Sequence, residues 1–336
     1  MITESTSVKE IKENSVIKEI WPYLIYNRAG DGAGKLSDDR WTLNDINEKN
    51  PTWRAKDIAF GLNTILEIAE ERKTFIYSLY DEEEIEQDAE KADVKLIFFP
   101  SKIKSNNART AILAAGGGYG AVCSLAESFP VAARLRELGV NAFCLNYRVA
   151  GAEPLFPKPM EDMAAAIRFL KKNERTLGIS MDRYAVGGFS AGGHLASSWG
   201  TKELGYLYYD CDKPAVLLLA YPLINISRTL NEYPSSIRKY MLNGLFGENY
   251  SEEQCKKYDI DLHIDEDYPD TYIVQAADDD VVPVWNTKEL SEKLSDMGVR
   301  NKYERVSHGG HGFGLGIDTP SEGWVERAID FWKGVK

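Results

Sequence analysis

Residues 184–200 read YAVGGFSAGGHLASSWG, and the reading of this stretch decides the fold. Its first part, YAVGGF, is a short apolar run with the look of a strand; its last part, HLASSWG, opens a helix-like pattern. Between them Gly188-Phe189-Ser190-Ala191-Gly192 fits G-x-S-x-G. In that strand-to-helix context the serine sits on a tight, strained turn, and small neighbours let the turn close with Oγ facing outward. Ser190 is therefore a candidate nucleophile rather than an incidental member of a glycine-rich connection. His194 falls one turn into the following helix, under the turn, where packing or hydrogen bonding is the expected role.

On both sides of this stretch, from about residue 74 onward, short β-rich runs alternate with helical patterns. The candidate strands are TFIYSLY (from Thr74), VKLIFF (Val94), TAILAA (Thr110), VNAFCLN (Val140), YAVGGF, AVLLLAY (Ala215), TYIVQAA (Thr271) and KYERV (Lys302). Several are apolar almost throughout, as strands covered on both faces must be. Helix-like segments such as FPVAARLRELG, MEDMAAAIRFLKKN and WNTKELSEKLSDMG lie between them. This alternation predicts an α/β fold, a mainly parallel eight-stranded sheet flanked by helices.

Two regions break the alternation. Residues 1–73 form a predicted helical extension or partial lid, in which Ile58, Leu62, Ile65, Leu66 and Ala69 would share one helix face. Residues 226–269, before the penultimate strand, are rich in tyrosine and charge and are expected to form a substrate-shaping insertion, with YPSSIRKYMLNGLFG as a glycine-stopped helix. Residues 74–336 then make up the main domain. The acidic run DEEEIEQDAEK reads as a solvated turn or linker.

A serine hydroxyl is a weak nucleophile at neutral pH, so the turn requires a histidine base and a carboxylate to orient it. Of four histidines, two follow the last candidate strand, in SHGGHGFGLG. His311, flanked by glycines, is the preferred base, with His308 next; His263 is expected to be structural or near the pocket. The acid should follow the preceding strand, where TYIVQAADDDVVP offers Asp278, Asp279 and Asp280. An Asp followed by one variable residue, two apolar residues and Pro selects Asp279, with Asp280 next; alternatively, all three acids simply favour the following helix start. Amide donors for a tetrahedral oxyanion are expected from Ala191, directly after the serine, and from the glycine loop of TAILAAGGGYGA, at Gly117 and Gly118. That loop lacks the Lys-Ser/Thr ending of a phosphate cradle.

Composition narrows the partners. Hydrophobic residues make up 43% and charged ones 27%, which suits a folded globular protein. The net charge of -12 opposes nucleic acid and anionic membranes, and apolar runs are too short to span a bilayer. The first twenty residues lack the basic start and apolar core of a secretory leader, so a cytoplasmic location is expected. Cys123, Cys144, Cys211 and Cys255 are scattered without a CxxC pair and read as free thiols. The sequence leaves the oligomeric state open, a homo-oligomer included.

With nucleophile, acid and base in the order Ser, Asp, His, and a glycine loop upstream, the chain from about Thr74 onward resembles the α/β-hydrolase family. Within it, GFSAGGHLA, NYRVAG and GGHGFGLG are similar to the carbohydrate-esterase branch, which includes acetyl-xylan and feruloyl esterases and small acetylesterases. Relatives often carry His before the glycines, where this chain has Ala115. The resemblance implies a serine esterase acting on short-chain esters of carbohydrates through an acyl-enzyme, with Ser190, Asp279 and His311 as triad and no metal or organic cofactor. It also implies fold-stabilising roles for Tyr147, Arg148, Glu161 and Asp162. Trp53, Phe60, Tyr233 and Tyr240 could line an acceptor pocket or pack the atypical segments. Rival readings are a prolyl-oligopeptidase-like peptidase, for which the chain has no room for a propeller domain, and a non-catalytic binding protein of the same fold.

Overall fold

The computed structural model describes residues 1–103 and 108–334. Eight strands form one sheet: β1 (Ile76–Ser78), β2 (Lys95–Phe99), β3 (Thr110–Ala114), β4 (Asn141–Asn146), β5 (Ala185–Phe189), β6 (Val216–Ala220), β7 (Asp270–Ala276) and β8 (Asn301–Val306). All eight expected strands are present. Their spatial order is β1-β2-β4-β3-β5-β6-β7-β8. β2 runs antiparallel to both β1 and β4, and the remaining pairs are parallel.

Side chains alternate across a strand with period two, and here both faces are buried. Phe98, Ile112, Phe143, Val186 and Leu219 enter one core; Phe99, Leu113, Cys144, Ala185 and Leu218 enter the other. That double burial is why the central strands read as continuous apolar runs. β8, with its charged KYERV, is only partly buried and closes one edge of the sheet.

The helix Ala55–Glu71 packs on the helix Ser128–Glu137. Its buried stripe is Ile58, Leu62, Ile65 and Ile68; Leu66 and Ala69, expected on that face, lie at its margin. Gly61 lies at the crossing point: a Cβ there would stand 3.1 Å from the Pro130 backbone nitrogen. Upstream, Tyr26 pairs with Val122 in an isolated antiparallel bridge, tying the first residues to the segment after the glycine loop. Residues 226–269 carry the helices Ile226–Asn231, Ser235–Phe246 and Glu252–Lys256, the second of which ends at Gly247 in a left-handed conformation, φ +87°.

The acidic run is more than a solvated linker. Asp81 caps a short helix, Glu82–Gln87, with a reciprocal bond to Glu84. Beyond it Asp88 reaches the buried Arg148, which also binds Glu161 and Asp162, while Tyr80 donates to Asp162. One guanidinium thus fastens the end of β4, the acidic segment and the helix Lys158–Leu177. Tyr147 donates to the Ala115 carbonyl at 2.6 Å. Tyr147, Arg148, Glu161 and Asp162, expected to support the fold, thus all make contacts between separate segments of the chain.

Candidate active site

At the end of β5 the chain turns directly into the helix Ser190–Trp199. Ser190 stands at φ +52°, a left-handed conformation that costs a non-glycine residue on the order of 1–3 kcal/mol and persists only where the surroundings enforce it. Close backbone approach provides that enforcement. A Cβ on Gly188 would lie 2.1 Å from the Gly192 carbonyl oxygen, and one on Gly192 equally close to that of Ala114. The glycines on either side of the serine are therefore required by the packing of turn, helix and β3.

His311 comes to Ser190 from the loop after β8. Its Nε2 lies 2.8 Å from Ser190 Oγ, and its Nδ1 lies 2.9 Å from Asp279 Oδ2. The Asp279 side chain is fully buried. It accepts hydrogen bonds from the Val281 and Val282 amides and from Gln275 Nε2, so the desolvated carboxylate keeps a complete set of donors. The ring of Tyr221 packs edge-on against the His311 imidazole with centroids 4.9 Å apart. With Nδ1–H donated to Asp279, Nε2 is left to accept the serine proton.

The competing candidates lie elsewhere. Asp278 accepts the Gly310 amide and so steadies the histidine loop; Asp280 is exposed. His308 pairs with its neighbour Ser307. His194 is buried, bound through Nδ1 to the Tyr119 hydroxyl and through Nε2 to the Tyr258 carbonyl, and burial pulls its pKa down to about 4. It is a neutral support. His263 binds the Lys257 carbonyl at the surface.

Ala191 is the second residue of its helix, so its N–H has no acceptor within the helix and points out of the N-terminal end. The glycine loop runs beside Ser190: a Cβ on Gly116 would stand 2.7 Å from Ser190 Cβ. The Gly116 amide donates to the buried carboxylate of Glu127, whereas those of Gly117 and Gly118 donate to no acceptor among the described residues. Burial dominates and pushes the Glu127 carboxyl up to about 7, although Tyr221 and His311 favour its ionised form. The sequence reading missed Glu127, because one acid at the start of an amphipathic helix looks like surface charge. The close run of small residues before it was the one available signal.

The aromatic candidates divide. Trp53 lies near the histidine loop, its Nε1 3.7 Å from where a Cβ of Gly312 would be, and Thr52 abuts Gly310. Tyr233 donates to the Val281 carbonyl beside Asp279. Tyr240 is 82% exposed at a cavity of about 620 Å³ that Gly118 also lines. Phe60 lines a different hollow with Arg134 and Leu315. Another cavity, about 1220 Å³, is bounded mostly by residues 12–41 and by none of Ser190, Asp279 or His311. Among the described residues no group of His, Cys, Asp and Glu is arranged to hold a metal ion.

Comparison with known proteins agrees with this architecture. Over 217 residues the chain is 29% identical to endo-1,4-beta-xylanase B of Butyrivibrio fibrisolvens, covering 62% of this chain and 33% of that protein. It is 25% identical over 202 residues to the acetylxylan esterase of Xylanibacter ruminicola, covering 60% and 40%. The chain therefore spans well under half the length of these two relatives. The crystal structure of an acetyl ester-xyloside bifunctional hydrolase from Caldicellulosiruptor lactoaceticus matches with a TM-score of 0.66 and 27% identity, over 77% of this chain and 96% of that one. A sugar hydrolase from Lactococcus lactis, at 23% identity and TM-score 0.59 over 71% and 93%, shares the fold. The BD-FAE family model matches residues 96–294, more than half the chain. Strand order, serine turn and this match together place the protein in the BD-FAE family of α/β hydrolases.

Proposed function

We propose that this protein is a serine esterase that removes short acyl groups, acetyl foremost, from carbohydrates. The observation that carries the reading is the continuous relay from Ser190 Oγ through His311 to the buried Asp279. Ser190 Oγ attacks the ester carbonyl carbon as its proton passes to His311 Nε2. The resulting oxyanion takes hydrogen bonds from the amides of Ala191, Gly117 and Gly118. Collapse breaks the bond to the alcohol oxygen, which leaves with the proton held by His311, and the acyl group stays on Ser190. A water then gives its proton to His311 and attacks the acyl carbon; collapse returns the proton to Ser190 and frees the acid. Asp279 holds the imidazole tautomer and stabilises its protonated form.

The acetylxylan esterase and the xyloside hydrolase among the relatives support a sugar as the alcohol. We place that sugar in the cavity of about 620 Å³ beyond Gly118, with Tyr240 as a ring for stacking and Asn243 and Asn249 as polar partners. Hydrolysis of p-nitrophenyl acyl esters, acetylated xylo-oligosaccharides and aminoacyl-anilides by the wild type and Ser190→Ala tests the reading. Acetyl ester turnover that disappears in the variant is expected. Turnover confined to anilides would replace it with a peptidase.

A further inference from the structure

A second carboxyl group stands against the relay, and the steps above make no use of it. Glu127 precedes the helix Ser128–Glu137 and is 4% exposed. Its Oε2 receives the Gly116 amide, and would lie 3.1 Å from a Cβ at Gly116 that itself would be 2.7 Å from Ser190 Cβ. Its Oε1 faces the histidine loop, 4.0 Å from where a Cβ of Gly312 would be. The Tyr221 hydroxyl lies where it favours the ionised form of Glu127, and it accepts the Gly314 amide. Glu127 thus touches the glycine loop behind the serine and faces the histidine loop, whose imidazole packs against Tyr221. A purely structural acid has no need to be desolvated between these two loops, where the unfavourable burial of its charge must be offset by specific donors.

Resting on the esterase reading, we infer that Glu127 is a positioning residue: its carboxylate holds the Gly116 amide so that the next two glycine amides are free for the oxyanion, and its charge supports the His311 imidazolium. Burial raises its pKa to about 7, so the group changes charge near neutrality. The titratable and charged groups facing it are His311, the Tyr221 hydroxyl, the Cys123 thiol and the Tyr147 hydroxyl, with Lys35 acting on Cys123 and Asp279 on Tyr221.

Glu127→Gln keeps the shape and an acceptor for Gly116 but removes the charge. The acid limb of kcat/KM against pH should change from a two-proton to a one-proton dependence, and kcat should fall roughly tenfold with KM nearly constant, as loss of a transition-state interaction requires. A second readout is independent of turnover. Because the folded pKa is raised from 4.5 to about 7, Glu127 contributes stability that is complete below 4.5 and lost as pH rises through about 7. The wild type should therefore lose stability relative to Glu127→Gln across that window. An unchanged acid limb would overturn the inference, whether or not stability drops, and leave the triad reading standing; ester turnover that survives Ser190→Ala would instead remove the reading beneath it. Should Glu127→Gln not fold, Tyr221→Phe withdraws the hydroxyl that favours the ionised carboxyl. Its acid limb should move to higher pH, and an unmoved limb would overturn the inference equally.

Discussion

Asp279 shows how much depends on single atoms. Its carboxylate takes two backbone amides, one side-chain amide and the imidazole, with nothing left for solvent. Asp279→Asn preserves the volume but presents an N–H donor where acceptors are needed, which favours the wrong histidine tautomer. Loss of kcat on the order of 10⁴-fold with little change in KM is expected, read from steady-state ester hydrolysis. Spacing to Pro283 singles out Asp279 among three adjacent acids, and the geometry separates the three: Asp279 meets His311 Nδ1, Asp278 serves the loop backbone and Asp280 faces solvent. Glu127 was not legible, because its meaning lies in contacts with Gly116, Tyr221 and the histidine loop, which are far apart in the chain.

At the scale of elements, the strands were readable because burial on both faces leaves a nearly uninterrupted apolar signature, and the serine turn because only glycine tolerates the approach at residues 188 and 192. The acidic segment misled because its ion pair with Arg148 joins residues 60 apart in the chain, although its capping box, Asp81 to Glu84, is local. The helix Ser235–Phe246 carries the recognition prediction. It turns Met241 toward Gly118, with Met241 Cε 3.8 Å from a Cβ position there, while Tyr240 faces solvent. Tyr240→Ala should raise KM for acetylated xylo-oligosaccharides by roughly five- to tenfold, the size of one lost aromatic contact. The rise for p-nitrophenyl acetate should be much smaller; equal rises would argue against stacking.

For the whole molecule, the core includes a histidine that must stay neutral. His194, held by Tyr119 and Tyr258 under the serine turn, has its pKa lowered from 6.5 to about 4 by burial. Below 6.5 the unfolded chain takes up a proton that the folded chain refuses, so this stabilisation is complete above 6.5 and lost as pH falls towards about 4. Denaturant unfolding of the wild type and His194→Gln should give a difference in stability that is flat above neutrality and shrinks on acidification. A constant difference would mean that His194 takes up its proton as readily folded as unfolded. All of this organisation converges on Ser190, and its covalent chemistry is the most direct test. Mass spectrometry after reaction with a phosphonate ester probe should find one adduct, on the peptide bearing Ser190, in step with loss of ester turnover. Labelling on another residue, or full turnover by the labelled protein, would contradict the account.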